Sequence, residues 1–396
     1  MKETRVITAD FIWDGIHDFP IPKGAIVIKE NHITEIIPFK ELNPEIHDEV
    51  IEIPGATLMP GLIDSHTHLS MDPMLDNYLD HMNDDVTELT LRAEAMMRKD
   101  LLAGITTCRC LGDKEYLDIA CRMAVEDKRL LGPRLLVAGK GIRAPAGHGF
   151  VGYPFDGLIE IKQAIRENID RGVDLIKFYI TGTLKGESQI PSYLSREEIR
   201  TLIDGAHNAG LHAATHCVGG IGLDWALEAG LDTLEHAYHI SDVQIEKLLK
   251  SSAWPVLTPS PLLLEERIDH LPEKLIPGHK QEKEEIRSRM IALISSGKPY
   301  AVGSDGMHGE LSQEVAYLVE MGATNISALR AATIHGARVA GIDSKTGSLD
   351  AGKKADIIAV SGNPLKNIKA LKNVRAVMKE GTWIIKPGGT GAEDDH

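Results

Sequence analysis

The stretch PGLIDSHTHLS, residues 60–70, sets Asp64, His66 and His68 at every second position. In a β-strand side chains alternate between faces, so these three would project to one side and the two imidazoles would converge. Neutral imidazole is a common ligand for zinc and its neighbours, which makes the pair a start for a metal site. With 17 His in 396 residues, roughly one H-x-H pair is expected by chance, so specificity must come from the remainder of the chain. Other apolar runs also carry ionisable groups. DLIKFYI holds Lys177, LHAATHC holds His212 and His216, LDTLEHAY holds His236, and PYAVGSDGMHGE reaches Asp305. An unpaired ammonium inside an apolar strand such as the one around Lys177 is costly to bury.

These residues need elements that bring them together. Residues 1–58 carry short β-branched runs broken by Asp-Gly and Pro-Gly, which predict strands and turns. From about residue 85 amphipathic helical stretches alternate with short apolar runs, and three of them end on Ala-Gly or Arg-Gly as a helix stop. In NISALRAATIHGARVAGI, Asn325 or Ser327 can cap the start and Gly341 the end. β texture returns after Thr346, and KPGGTGAEDDH at the end is polar and Gly-rich. The pattern predicts an α/β protein: a (β/α)₈ TIM barrel over 59–345, a small β-sandwich-like domain from 1–58 and 346–390, and a flexible tail over 387–396. No G-x-G-x-x-G follows a strand, which argues against a doubly wound dinucleotide fold. In a barrel, chemistry sits at the C-terminal ends of the strands, where the histidines, Lys177 and Asp305 are expected.

The ordered set of His66, His68, Lys177, His216, His236 and Asp305 resembles the amidohydrolase superfamily in its dinuclear, carboxylated-lysine form. The resemblance extends through PGLIDSHTH, GVDLIKF, THCVGGIGLDWALEAGLDTLEHA, GSD and ALRAATIHGARVAGIDSKTGSLDAGKKADIIAV. Within it, the chain is most similar to the imidazolonepropionase-like enzymes and to the Xaa-Pro and Xaa-Arg dipeptidases. The resemblance implies that His66, His68 and Asp305 hold one divalent metal and that His216 and His236 hold a second. Lys177, as a carbamate, would bridge the two. Zinc suits such ligands, as do manganese, cobalt and iron. Two such ions would lower the pKa of a shared water toward roughly 7 and polarise a carbonyl. Asp305 would then take up a proton and pass it to the leaving nitrogen.

Other residues receive smaller roles. His148, in the Gly- and Pro-rich segment RAPAGHGFVGYP, is expected to contact substrate or a developing oxyanion, as relatives carry a comparable Gly-His-Gly. Tyr238 is a further substrate contact. Arg143 and Tyr153 on the first loop, with Lys185 and Tyr193 on the next, offer donors for a substrate carboxylate. Asp64 reads as a strand-end hydrogen-bonding group, and His212 as structural at the buried start of its strand. His239, His308 and His335 read as solvated or helix-packed, and Met96 and Met97 as helix core.

The expected reaction is hydrolysis of an amide-like C–N bond in a dipeptide or N-acyl amino acid. A cyclic amide or urea hydrolase and a mononuclear deaminase are the alternatives on this scaffold. Deaminases generally lack the strand-four lysine, and a non-enzymatic relative would be expected to have lost ligands. A formal charge of −15 without a basic stripe disfavours nucleic acid. No run of about 18 apolar residues indicates a membrane span, and the N-terminus lacks a signal-like apolar core. A cytoplasmic homo-oligomer acting on a small molecule is expected. Cys108, Cys110, Cys121 and Cys217 form no C-x-x-C pair and read as buried thiols, although Cys217 beside His216 could lie near the site.

Overall fold

A computed structural model describes residues 4–44, 47–185 and 189–388. Strands in chain order are β1 Thr4–Ile12, β2 Ile21–Lys29, β3 His32–Pro38, β4 Glu49–Pro60, β5 Leu62–Thr67, β6 Ile105–Cys110, β7 Arg134–Val137, β8 Ile142–Arg143 and β9 Tyr153–Pro154. They continue as β10 Leu175–Tyr179, β11 His212–Cys217, β12 Thr233–His236, β13 Trp254–Leu257, β14 Ala301–Val302, β15 Ile357–Ser361, β16 Val374–Lys379 and β17 Thr382–Ile385.

The barrel wall consists of two parallel arcs, β5-β6-β7 and β14-β13-β12-β11-β10-β8-β9. Backbone bonds close it on both sides. The Asp305 N–H donates to the His66 carbonyl at 2.8 Å beyond β14, and the Asp174 N–H donates to the Val137 carbonyl at 2.8 Å where β7 meets β10. Helices alternate with the strands as the hydrophobic rhythm requires. Arg196–Asn208, for instance, starts in a capping box between Ser195 and Glu198 and buries Ile199, Leu202, Ile203 and Ala206. It ends where Gly210 takes φ +72° and the Leu211 N–H returns to the Ala206 carbonyl at 3.0 Å. This is the Schellman stop that the Ala-Gly dipeptide signals.

The C-terminal helical stretch departs from expectation in two ways. Thr324 is its N-cap, accepting from the Ser327 N–H at 3.1 Å, so neither Asn325 nor Ser327 plays that part. The stretch is also broken into Asn325–Ala331 and Ile334–Val339, because the Ala332 carbonyl turns to accept the Ile63 N–H of β5 at 2.8 Å. A backbone bond to the barrel there replaces helical continuity.

Both chain ends build a second sheet, ordered β17-β16-β15-β4-β1-β2-β3. Strand β15 shows why its sequence IIAV is apolar without alternation. Ile357 and Ala359 pack inside the β unit, whereas Ile358 and Val360 join the core of the barrel. A strand buried on both faces has no position for a polar residue. Of the tail expected over 387–396, residues from 389 onward lie outside the described ones. No described helix is long and apolar enough to cross a membrane.

Candidate metal centre

The six chemistry-bearing residues converge at one end of the barrel. His66 lies near the end of β5 with His68 just beyond it, Lys177 lies in β10, His216 in β11, and His236 ends β12; Asp305 follows β14. His66 and Lys177 are fully buried, and His68, His216 and His236 nearly so. Ligand atoms of His66, His236 and Asp305 lie within 4.8 Å of one another, the spacing of groups able to share a metal ion. Asp305 Oδ1 is 3.4 Å from His66 Nε2 and 3.7 Å from His68 Nε2. The His236 ring is 4.6 Å from that of His66 and 4.5 Å from that of His216. His236 and Asp305 both adopt left-handed backbone, at φ +75° and +51°. Such strain in non-glycine residues costs about 1–3 kcal/mol each and gathers at functional sites.

Each imidazole is oriented by a bond from the nitrogen that faces away from the centre. His68 Nδ1 donates to the Gly112 carbonyl at 2.7 Å, and His216 Nε2 to the Gly182 carbonyl at 3.3 Å. His66 Nδ1 donates to Glu235 Oε2 at 2.8 Å, and His236 Nδ1 meets Thr258 Oγ1 at 2.8 Å. The opposite nitrogens keep their lone pairs, as metal ligation demands. His66 Nε2 and Lys177 Nζ are buried without a hydrogen-bond partner. Buried polar atoms are almost always paired, so these two mark the place where a further group belongs. The donor set of imidazoles and a carboxylate fits a divalent ion of the zinc type.

The electrostatics agree. Burial drives His68 down to about 3, with His66 and Lys177 adding to the effect and Asp305 opposing it, and burial holds His216 and His236 well below the usual imidazole range. Neutral rings result, which can ligate. Burial lowers Lys177 to about 8 against the pull of Glu235 and Asp305. For Asp305, burial pushes upward but is outweighed by the closeness of His66 and then of His236 and His68, so its carboxyl lies well below the ordinary range.

Two residues beneath the centre were not foreseen from sequence. Arg109, 1% exposed, donates to Glu235 Oε1 at 3.1 Å, to the Ser65 carbonyl at 3.2 Å and to Thr233 Oγ1 at 2.8 Å. Glu235 in turn holds His66. Strand alternation would send Glu235 and His236 to opposite faces, but the left-handed backbone at His236 lets both serve the site. A charged residue within the apolar strands ITTCRC and LEH was the available signal. Asp64 fills its expected part, since Oδ1 accepts the backbone N–H of His66 at 3.0 Å and of Ser304 at 3.1 Å.

A cavity of about 560 Å³ opens above these residues and is lined by all six of them, together with His148 and Tyr238. The His148 ring lies 4.5 Å from that of His216, and its Nε2 is 3.1 Å from Thr183 Oγ1. Burial lowers His148 to about 4. The Tyr238 hydroxyl is already engaged with Thr258, 2.9 Å from its carbonyl and 2.7 Å from Oγ1, so the residue offers the cavity its ring and not a free donor.

The expected carboxylate donors are not brought there. Arg143 turns back onto the carbonyls of Ala144 and Pro145, both at 3.1 Å, and Tyr153 donates to Glu115 Oε1 at 2.6 Å. Neither lines the cavity, as each side chain is held by these partners. Lys185 pairs with Glu285 at 3.3 Å, and Tyr193 is partly exposed. His212 is exposed, not buried as expected at the start of its strand. His239 and His308 are buried and paired with Glu282 and Asp100 rather than solvated. His335 packs against Trp254. All four cysteines are free and buried, and Cys217 bonds toward the Gly219 carbonyl, away from a site role.

Comparison with known proteins gives concordant results. A family profile described as Amidohydrolase family matches residues 57–384. An ochratoxinase of Aspergillus niger is 26% identical over 419 aligned positions, covering 94% of this chain and 85% of that protein. An imidazolonepropionase of Symbiobacterium thermophilum is 23% identical, covering 93% and 91%. Among solved structures, a Xaa-Pro dipeptidase with bound methionine in the active site superimposes with a TM-score of 0.89 at 26% identity, covering 97% of this chain and 100% of the other.

Proposed function

The chain belongs to the amidohydrolase family, and from that premise we propose that this hydrolytic enzyme cleaves the C–N bond of a dipeptide or N-acyl amino acid with the help of two divalent ions. Members of the family generally bind divalent metals. The pairing proposed here gives His66, His68 and Asp305 to one ion and His216 and His236 to the other. Lys177, once carboxylated by carbon dioxide, would offer ligand oxygens to both. Zinc is the metal favoured by this ligand set, with manganese, cobalt and iron also compatible.

The observation that carries this proposal is Lys177. Its ammonium is fully buried, and its Nζ has no hydrogen-bond partner. A cation in such a place is costly, whereas a carbamate there is an anion with two ligand oxygens. Burial, by lowering Lys177 to about 8, also increases the neutral amine that reacts with carbon dioxide.

When bound, the metal ions lower the pKa of water toward roughly 7 and polarise the scissile carbonyl. Asp305, ionised at neutral pH, accepts the proton of the attacking water on a carboxylate oxygen and delivers it to the leaving nitrogen. His148, neutral and ordered against Thr183, donates to the carbonyl oxygen as negative charge develops. The apolar wall formed by Met71, Leu79, Val151 and Leu271 excludes bulk water and strengthens these interactions. The similar dipeptidase that holds methionine, an amino acid, in its active site supports the substrate class.

The test is Lys177→Ala. It is expected to lose metal pairing and activity, with partial recovery when small carboxylic acids occupy the bridging position. A variant with unchanged metal content and rate would remove Lys177 from the site.

A further inference from the structure

We propose that Arg267 and the hydroxyl of Tyr78 form the docking point for a free carboxylate on the substrate, and that the residue bearing this carboxylate has an apolar side chain. This rests on the amide-hydrolase assignment and supplies the anchor that Arg143 does not.

Arg267 lies in the short helix Glu265–Asp269, between β13 and β14, and lines the cavity. It is 5% exposed. Its Nη1 donates to the Pro261 carbonyl at 2.6 Å and its Nη2 to the Tyr78 oxygen at 2.9 Å, while Nε is buried with no partner. Among the described residues no carboxylate forms an ion pair with it. Two other arginines packed into the fold each have an acid partner. Arg109 pairs with Glu235 at 3.1 Å, and Arg134 pairs with Asp356 at 2.8 Å and with Glu380 at 2.5 Å. A buried guanidinium without an anion is strongly disfavoured, and its planar fork matches a carboxylate. The acids lining the cavity do not answer the need, since Asp305 is engaged by His66 and His68 and Asp80 is exposed.

Tyr78 completes the arrangement. Its oxygen accepts from Arg267, so its own proton remains to be donated, and among the described residues no acceptor takes it. Tyr78 and Arg267 line the same cavity as Asp305, His66 and His236. A ligand short enough for a cavity of about 560 Å³ can therefore present its carboxylate here while its amide reaches the metal centre. Lys274 adds positive charge to the same wall, and Met82, Leu271 and Leu275 supply apolar surface beside it. Together these select an apolar amino acid with a free carboxyl group on the leaving-nitrogen side.

The experiment compares N-acetylphenylalanine and Ala-Phe with their carboxyamides on the metal-loaded enzyme, in wild type, Arg267→Gln and Tyr78→Phe, with release of the amine as readout. A hydrogen bond to a charged group contributes enough for wild type to favour the free acids by about 10- to 150-fold in kcat/KM. That preference should fall toward one in Arg267→Gln and by a smaller factor in Tyr78→Phe. Equal rates for acid and amide in wild type, or a ratio unchanged in Arg267→Gln, would overturn the proposal. Calorimetric binding of phenylalanine against phenylalaninamide separates the two levels of inference. If no amide is turned over, the assigned reaction fails, but preferential binding of phenylalanine that Arg267→Gln abolishes upholds the anchor; absence of that preference overturns it.

Discussion

His66, proposed as a metal ligand, shows how much of its placement is made by residues that do not line the proposed centre. Its Nδ1 is held by Glu235, which is itself fixed by Arg109 and by Thr233 Oγ1 at 2.7 Å. For Glu235, burial raises the pKa but is outweighed by Arg109 and then by His66 and Lys177, so the group stays ionised. Glu235→Gln removes that charge and leaves Arg109 buried without a counter-ion. Metal affinity is expected to fall about 10- to 100-fold, measured by competition with a chromophoric chelator. Unaltered affinity would separate Glu235 from the site. The residues that converge on the candidate site were legible in the sequence because H-x-H, a lysine in an apolar strand and an aspartate after Val-Gly-Ser are unusual where they stand. Glu235, Arg109 and Arg267 were not, since their significance lies in which buried group they meet across the barrel. Arg143 illustrates the same limit: the type was suited to a carboxylate, but its guanidinium bonds its own loop.

At the level of elements, the loop after β7 shapes the cavity around Tyr179. Gly141, Gly149 and Gly152 each approach that ring so closely that a Cβ would fall within 2.9 Å of it. Gly149, at φ +105°, is doubly constrained and follows His148 directly. Gly149→Ala is therefore expected to displace His148 and lower kcat/KM by about 100-fold, the scale associated with misplacing a reacting group by an ångström. Steady-state kinetics alongside a thermal melt would check this, and full activity would show that the loop's path does not position His148. The βα alternation was legible from amphipathic stretches and Ala-Gly stops. The break between Ala331 and Ile334 was not, because its cause is a bond to Ile63, more than 250 positions away in the chain.

Across the molecule, the centre trades stability against acid for function. His68 and His148 are held at about 3 and about 4, below the ordinary 6.5, chiefly by burial. Their contribution to stability is complete above pH 6.5. It is lost as pH falls, because the unfolded chain binds protons that the folded chain refuses until its own lower pKa values are reached. Metal-free protein should thus show a melting temperature that declines between pH 6.5 and 4, and a flat profile in chelator would contradict the buried, neutral state of these rings. The two-part architecture was legible because β texture brackets the chain, although only the pairing of β15 with β4 explains why its IIAV run carries no polar alternation.

The most direct test of the central claim is to strip the protein with chelator and titrate it with zinc while following hydrolysis of N-acetylphenylalanine and Ala-Phe. Two ions held jointly by His66, His68, Lys177, His216, His236 and Asp305 predict activity that rises to a plateau at two equivalents per chain. A plateau at one equivalent, with full activity, would contradict the dinuclear centre and favour a mononuclear reaction on the same barrel.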